Sequence, residues 1–138
     1  MKKYSFEDIK VGMSRSLQFN VTDKLVDDFC KLSGDYSDIH CSVDFANKQG
    51  FPNRIAHGML IGAFISRLIG MELPGKFGLL HSMNLKFHKP CFPGDTIKMT
   101  GVVLEKIKAV KTIIVGVRVT KKNRILLISG TVQAGVIK

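Results

Sequence analysis

The sequence predicts a single α+β domain in which a curved antiparallel sheet rolls around a long apolar helix. A chain of 138 residues can build one sizeable hydrophobic core but not two, so residues 1–138 should form one domain. The helix predicted for residues 58–69 has apolar side chains around almost its whole circumference, so other elements must cover it. Three long segments after residue 95 alternate between apolar and polar residues with a period of two, as strands with one buried face do.

A strand and two helices are predicted before the apolar helix. Residues 11–21 have the mixed alternation of a strand, and Thr22 then provides an N-cap for the first helix. Gly34 is placed to end that helix, and Ser42 is placed to cap a second, short one. The segment that begins with Asp35 is rich in Gly, Asp and Ser and is predicted to be a loop. The apolar face of the first helix should consist of Leu25, Val26, Phe29, Cys30 and Leu32.

The second half of the chain is predicted to be mostly sheet. Residues 79–87 read as a strand between two turns that are rich in Pro and Gly, at residues 73–78 and 90–95. Short polar turns around Lys108 and Asn123 should join the three long strands into an antiparallel meander.

Apolar residues on both faces of several strands indicate an oligomer. Ile114 and Leu127 are examples, since each lies out of step with the buried positions of its strand. A single copy would leave apolar patches and a sheet edge exposed to water. We therefore expect a homodimer.

The formal net charge of +10 comes largely from the late strands and their turns. Solvent-facing positions on strands are commonly Lys, so a solvated face is the simplest interpretation. Attraction of a phosphate-bearing small molecule is the alternative. No aromatic residues interleave with these cations as in single-strand binders, so the pattern does not favour nucleic acid as a partner. The basic residues concerned are Lys98, Lys106, Lys108, Lys111, Arg118, Lys121, Lys122 and Arg124.

Neither a membrane segment nor a metal motif is predicted. No apolar run approaches the roughly 18 residues that a bilayer-spanning helix needs, and no apolar stretch follows the basic N-terminus, so we expect a cytoplasmic protein. The three cysteines, Cys30, Cys41 and Cys91, form no CxxC pair and no His/Cys ligand pattern. We interpret them as structural free thiols and expect no metal site.

Two short segments hold the residue types that acid–base chemistry needs. Asp35 and His40 lie five residues apart, just past the glycine that should end the first helix. Taken alone, each could be an ordinary loop residue. Gly58 opens the apolar helix, whose first N–H groups lack intrahelical partners and could bind a developing negative charge.

These segments resemble the hydratase motif of the MaoC-like, (R)-specific enoyl-CoA hydratases and 3-hydroxyacyl dehydratases. The resemblance covers nearly the whole chain in the family's order. The family usually has Asn-Pro where this chain has Ser37-Asp38, and the loss of the proline should loosen the loop. The matching stretches are residues 29–35 with Ile39, His40 and Ala46, residues 56–60, residues 73–76 and residues 92–95.

The resemblance implies a dimeric hot-dog fold that acts on acyl thioesters of coenzyme A or of acyl carrier protein. By position, Asp35 and His40 match the family's catalytic pair, and Gly58 matches the residue whose N–H binds the thioester carbonyl. Ser66 matches a serine that supports the pair in some members. His57 could contact the ligand or cap the helix, and we group it with Ser66 as a supporting residue.

The predicted reaction is the reversible hydration of a trans-2-enoyl-CoA to the (R)-3-hydroxyacyl-CoA. It needs a base for water, an acid for the α-carbon and donors for the enolate-like oxygen, which a carboxylate, an imidazole and a helix N-terminus can supply. It involves neither hydride transfer nor oxidation, so we expect no cofactor. Two alternatives remain open: a hot-dog acyl-CoA thioesterase, and a non-catalytic module that binds acyl groups or nucleic acid.

Overall fold

Five antiparallel strands form one curved sheet in the computed structural model, which describes every residue from Met1 to Lys138. The order across the sheet is β1-β3-β4-β5-β2, so β1 and β2 are its edges. The strands are β1 (Ser14–Asn20), β2 (Gly78–Phe87), β3 (Thr96–Ile107), β4 (Thr112–Lys121) and β5 (Ile125–Val136). All four pairings are antiparallel, which confirms the predicted meander of β3, β4 and β5.

Four α-helices precede β2, and the last of them is the predicted apolar helix. None of them combines the length and the apolar character that crossing a bilayer requires. A π-helical segment, Leu68–Glu72, extends α4 towards β2. The helices are α1 (Asp23–Ser33), α2 (Asp38–Cys41), α3 (Val43–Lys48) and α4 (Gly58–Arg67).

The predicted helix caps are present and fix where the chain turns. The Thr22 hydroxyl accepts a hydrogen bond from the N–H of Leu25 at 3.1 Å, and the Ser42 hydroxyl accepts one from Phe45 at 3.1 Å. Gly34 ends α1 with a φ of 77°, a backbone conformation that glycine adopts without steric cost. The chain therefore leaves α1 abruptly at the point where Asp35 follows.

The core lies between α4 and the inner face of the sheet. Leu60, Ile61 and Ile65 of α4 and Leu68 of its extension are buried in one cluster with the inward residues of β3, β4 and β5. A Cβ at Gly101 in β3 would lie 2.8 Å from Leu68 Cδ2, so glycine there lets the helix approach the strand closely. This packing confirms the prediction of a sheet curved around an apolar helix.

The sheet covers α4 less completely than the sequence predicts. Met59 is 54% exposed, and Ala63 and Ser66 are exposed on the same side of the helix. The prediction is also wrong for Leu32, which is 84% exposed and does not belong to the buried face of α1. These residues show that helical periodicity identifies a face without stating how much of it is covered.

Two further predictions about local structure are wrong in part. The segment after Gly34 is not all loop, because Asp38–Cys41 forms the short helix α2. Leu127 is buried and does not contribute to an exposed patch. The register between β4 and β5 shifts between Val119 and Thr120, and such a bulge lets neighbouring residues both face the interior.

Candidate active site

Asp35 and His40 face each other across the turn between α1 and α2. The left-handed Gly34 starts this turn, and His40 lies on α2. His40 Nε2 lies 3.9 Å from Asp35 Oδ2, which is too far for a direct hydrogen bond. A water about 2.8 Å from both atoms fits this separation. The arrangement can therefore hold one water between a carboxylate and an imidazole.

A hydrogen bond to the backbone sets the tautomer of His40. Its Nδ1 lies 2.7 Å from the carbonyl oxygen of Ile55, which can only accept, so Nδ1 carries the proton. When the ring is neutral, Nε2 therefore has a free lone pair directed towards Asp35. The side chain of His40 is 16% exposed and that of Asp35 is 50% exposed, so the pair opens towards solvent or substrate.

Hydrogen bonds to Ser37 keep Asp35 ionised. The Ser37 N–H donates to Asp35 Oδ1 at 3.1 Å. This N–H, the Ser37 hydroxyl and the nearby rings of His40 and His57 lower the pKa of the Asp35 carboxyl below its ordinary value. A base with a lowered pKa is available at neutral pH and is lost only when the pH falls through that lowered value.

The buried side chain of His57 contacts both Asp35 and His40. It is 2% exposed, and its Nε2 donates to the backbone carbonyl of Asp35 at 3.0 Å. Its ring stacks on that of His40, with centroids 3.9 Å apart. The side chain makes no capping hydrogen bond to α4, and its Nδ1 is buried without a hydrogen-bond partner. Of the two predicted roles, helix capping is therefore absent.

A cavity of about 320 Å³ lies beside His40 and reaches the N-terminus of α4. His40 and Gly58 both line it, and the N–H of Gly58 has no intrahelical partner because Gly58 is the first residue of α4. A Cβ at position 58 would lie 2.7 Å from Phe87 Cε1, so glycine keeps this wall open. The apolar part of the lining comes chiefly from Ile55, Ile61, Phe87, Leu127 and Ile128.

Arg54 is a positioning residue that the sequence alone does not reveal. Its guanidinium bonds to Asp27 at 2.6 Å and to Asp23 at 2.9 Å, both on α1. It also donates to the backbone carbonyl of His40 at 3.3 Å. The pKa of Arg54 is raised, first by the hydrogen bond to Asp27, and the buried cation joins α1 to the helix that carries His40. Its partners lie 27 and 31 residues away in the chain, so no local motif marks them.

Ser66 lies outside this cluster. It is exposed on α4, eight residues beyond Gly58, and thus about 12 Å further along the helix axis. Its hydroxyl makes no hydrogen bond to Asp35 or His40 within the chain. The predicted supporting role of Ser66 stays a prediction.

The structure brings a carboxylate and two imidazoles together, a set of residue types that can also bind metal ions. One ligand atom from each of Asp35, His40 and His57 lies within 4.8 Å of the others, so this group is the part of the chain that could hold a metal ion. His40 Nδ1 and His57 Nε2 are already bonded to backbone carbonyls. The prediction of no metal site stays a prediction.

A basic depression of about 690 Å³ lies on the outer face of the sheet, and we call it the outer groove. Its wall adjoins the cavity, because Lys121 donates to the carbonyl of Pro90, which lines the cavity, at 3.2 Å. Lys121 also pairs with Asp95 at 3.0 Å, whereas the other four cations form no ion pair. The cations of the outer groove are Lys98, Arg118, Lys121, Lys122 and Arg124.

Comparison with known proteins shows which family the chain and its fold resemble. A family model described as MaoC like domain matches residues 7–124. The chain is 41% identical over 105 residues to the (R)-specific enoyl-CoA hydratase of Rhodospirillum rubrum, an alignment that covers 73% of each chain. It is 35% identical over 102 residues to the 3-hydroxybutyryl-CoA dehydratase of Methylorubrum extorquens, covering 74% of this chain and 65% of that protein. The structure of unliganded R-hydratase PhaJ1 from Pseudomonas aeruginosa superposes with a TM-score of 0.90 at 28% identity, covering 96% of this chain and 84% of that one.

Proposed function

This chain belongs to the MaoC-like domain family, and we propose that it catalyses the reversible hydration of a trans-2-enoyl-CoA to the (R)-3-hydroxyacyl-CoA. The observation that carries the proposal is the separation of 3.9 Å between Asp35 Oδ2 and His40 Nε2, beside a cavity that also exposes the first N–H of α4. The relatives from R. rubrum and M. extorquens are named as a hydratase and a dehydratase. These names describe the two directions of one reversible reaction, which supports the proposal.

Asp35 and His40 both hold the reacting water, and Asp35 carries out the proton transfers. A water held between them donates one hydrogen bond to His40 Nε2 and the other to the Asp35 carboxylate. As the water oxygen adds to C3 of the substrate, Asp35 takes a proton from it and then delivers that proton to C2. Atoms balance, because one hydroxyl and one proton are added across the double bond and the carboxylate is regenerated.

The N-terminus of α4 stabilises the negative charge that develops on the thioester oxygen. Gly58 lines the cavity and is the first residue of a ten-residue helix, whose dipole favours negative charge at this end. A preorganised donor of this kind is worth about 3 kcal/mol in a site that excludes water. The largely apolar wall of the cavity suits the acyl chain.

Spectrophotometric hydration of 2-enoyl-CoA substrates of increasing chain length tests the proposal. Asp35→Asn and His40→Ala should each lower kcat on the order of a hundredfold or more, since each removes a positioned proton acceptor. Asp38→Asn is the matched control, because it removes an exposed carboxylate from the same turn, and it should change the rate by about twofold at most.

Two outcomes would contradict the proposal. Retention of full activity by both variants would exclude Asp35 and His40 as the catalytic pair. Release of free thiol from an acyl-CoA, without loss of the enoyl absorbance, would favour the thioesterase.

We propose that the active protein is a homodimer built on β2 and the open side of α4. Strand β2 is an edge of the sheet, and its Leu79 and Phe87 are 54% and 51% exposed. Met59 of α4 is 54% exposed and borders the same strand, because a Cβ at Gly62 would touch both Met59 and Leu85. An exposed apolar edge strand of this kind is protected when a second copy pairs with it.

Sedimentation at micromolar concentration tests the dimer. Leu79→Lys combined with Met59→Glu should give a monomer, because both changes place charge in the apolar contact. Leu104→Lys is the control, since Leu104 is equally exposed at 53% but lies on the inner strand β3. A monomeric wild-type protein, or a dimer that survives the double change, would contradict this arrangement.

Coenzyme A is the carrier that best fits the charge distribution. Its phosphates are polyanionic, and four cations of the outer groove have no acidic partner to compete for them. The groove adjoins the cavity through Lys121 and Pro90, so a carrier held there lies beside the reacting acyl group.

A further inference from the structure

Two thiols lie almost in contact beneath the catalytic pair. The Sγ atoms of Cys30, in the last turns of α1, and Cys41, at the end of α2, are 3.6 Å apart. A disulfide bond is about 2.05 Å long, so a movement of about 1.5 Å would join them. The third cysteine, Cys91, lies on the other side of the site in the wall of the cavity.

Solvent reaches this pair from one side. A surface depression of about 320 Å³ is lined by both sulfur-bearing residues together with Tyr36 and Arg54. Cys41 is exposed, whereas Cys30 is 2% exposed. Burial raises the pKa of the Cys30 thiol, as do its contacts with Cys41, so Cys30 stays protonated. An oxidant from solvent therefore reaches the exposed Cys41 first, and the buried Cys30 lies next to it.

Each cysteine is adjacent to one histidine of the candidate site. Cys41 directly follows His40 on α2. Cys30 Sγ lies 3.7 Å from Nε2 of His57, the atom that also bonds to the Asp35 carbonyl. A movement of α2 that shortens the distance between the two sulfurs would therefore shift His40, and a movement of the Cys30 sulfur would change its contact with the His57 ring.

We infer that Cys30 and Cys41 are a site of reversible oxidative modification, at which hydrogen peroxide forms a disulfide that displaces His40 from Asp35. The Cys41 thiolate attacks the peroxide oxygen and becomes a sulfenic acid, while hydroxide leaves and is protonated to water. The Cys30 sulfur then attacks the sulfenic sulfur, losing its proton as a second water forms. The peroxide is reduced by two electrons, and the two thiols are oxidised by two.

The disulfide lowers activity because the reaction rate is sensitive to small displacements of the catalytic groups. A misplacement of about 1 Å can cost on the order of a hundredfold in rate. The movement needed to join the sulfurs is of that size, and His40 is held by one hydrogen bond to Ile55 and by its stack on His57. A thiol reductant restores the original contacts.

Peroxide treatment followed by peptide mapping tests the modification directly. Trypsin releases Cys30 in residues 25–31 and Cys41 in residues 32–48, so the disulfide joins two peptides that are separate in the reduced protein. We expect this cross-linked pair after oxidation, a change in the NMR signals of the His40 ring, and a loss of hydratase activity of about tenfold or more that dithiothreitol reverses.

Two cysteine variants provide the matched comparison. Cys41→Ser changes an exposed residue, should keep the basal rate, and should abolish both the cross-link and the peroxide-dependent loss. Cys91→Ala should retain both responses, because burial raises the pKa of Cys91 to about 12 and keeps its thiol unreactive.

The loss of activity rests on the proposed function, whereas the cross-link and the His40 signals do not. A reduced protein that hydrates no enoyl thioester would refute the proposed function and leave the mapping and NMR tests intact. The modification site itself would be refuted if no cross-linked pair formed. The displacement of His40 from Asp35 would be refuted if the pair formed with no change in the His40 signals.

Discussion

The two halves of the chain differ sharply in how they use charge. Residues 1–73 contain nine Lys and Arg and nine Asp and Glu, whereas residues 74–138 contain twelve of the former and only two of the latter. The whole formal charge of +10 therefore lies in the half that builds β2, β3, β4 and β5. The first half is neutral overall, yet it contains the proposed catalytic pair.

In the first half, the charged groups at the candidate site are paired and fix the positions of other residues. Arg54 bonds to Asp23 and Asp27, and Asp35 faces His40. In the second half, the one ion pair is between Lys121 and Asp95, and most cations have no acidic neighbour. The difference indicates that the first half uses its charges to set the geometry for the reaction, and that the second half leaves them free for an anionic substrate.

Replacing Arg54 is the strongest test of the geometric role of the first half. Arg54→Met removes the donors to α1 and to the His40 carbonyl, so kcat should fall on the order of tenfold while KM changes little. Unfolding should become easier by only about 1 kcal/mol or somewhat more, because Asp23 and Asp27 are more than half exposed and regain water.

The measurement combines steady-state kinetics with thermal unfolding. Arg54→Lys should recover part of the rate, because it keeps the charge but not the forked donors. Arg67→Met is the control, since Arg67 is exposed on α4 and makes no ion pair. A variant that unfolds more easily yet keeps its full kcat would show that Arg54 serves stability alone.

The same contrast explains how much of the site the sequence could predict. Local signals, namely the helix-ending Gly34 and the opening glycine of an apolar helix, predict where Asp35, His40 and Gly58 lie, whereas their expected roles come from the resemblance to the family motif. In the structure Asp35 and His40 lie at one turn, and His40 and Gly58 line one cavity. Arg54 could not be assigned in this way, because its role depends on side chains that only the fold brings near. The contact between Cys30 and Cys41 is hidden for the same reason.

The fold itself was predictable where a pattern repeats and was missed where it breaks. The period of two in β3, β4 and β5 and the apolar α4 predict the sheet and its central helix, which the structure confirms. The helix α2 spans four residues, too few for a period to emerge. The bulge beside Thr120 changes which face Leu127 occupies, and nothing in the local sequence signals that shift.

Charge reversal in the outer groove tests the role of the second half. Lys98→Glu combined with Arg118→Glu should raise KM for a short enoyl-CoA severalfold at low salt, with kcat unchanged, because the phosphates lose their cations and meet like charge. The effect should shrink as salt screens the charges. Lys108→Glu, in the turn after β3, is the control for net charge alone.

A substrate without phosphates distinguishes an effect on binding of the carrier from an effect on the structure of the site. The corresponding enoyl-pantetheine carries the same acyl group and thioester but no nucleotide, so its KM should not respond to the double change. Equal effects on both substrates would show that the outer groove acts through the structure of the site and not through the carrier.

The smallest effect is expected where this chain departs from the family, at Ser37-Asp38. The backbone there has the conformation that a proline requires: Ser37 has φ −59° and ψ 143°, the extended conformation that precedes proline, and Asp38 is the first residue of α2. No hydrogen bond in the turn uses the Asp38 N–H as a donor. The backbone therefore already has the shape that Asn-Pro would impose.

Restoring Asn-Pro should consequently stabilise the protein without changing its chemistry. The double change Ser37→Asn and Asp38→Pro should raise the free energy of unfolding by about 0.4–1 kcal/mol, because proline restricts the unfolded chain. It should leave kcat within about twofold, since the introduced asparagine keeps the backbone N–H that donates to the Asp35 carboxylate. Asp38→Ala removes the same charge without the ring, so a gain in stability shared by both variants would assign it to charge. A fall in kcat that neither Asp38→Ala nor Ser37→Asn alone shares would mean that the turn must move during the reaction, because a fixed turn would not respond to the ring.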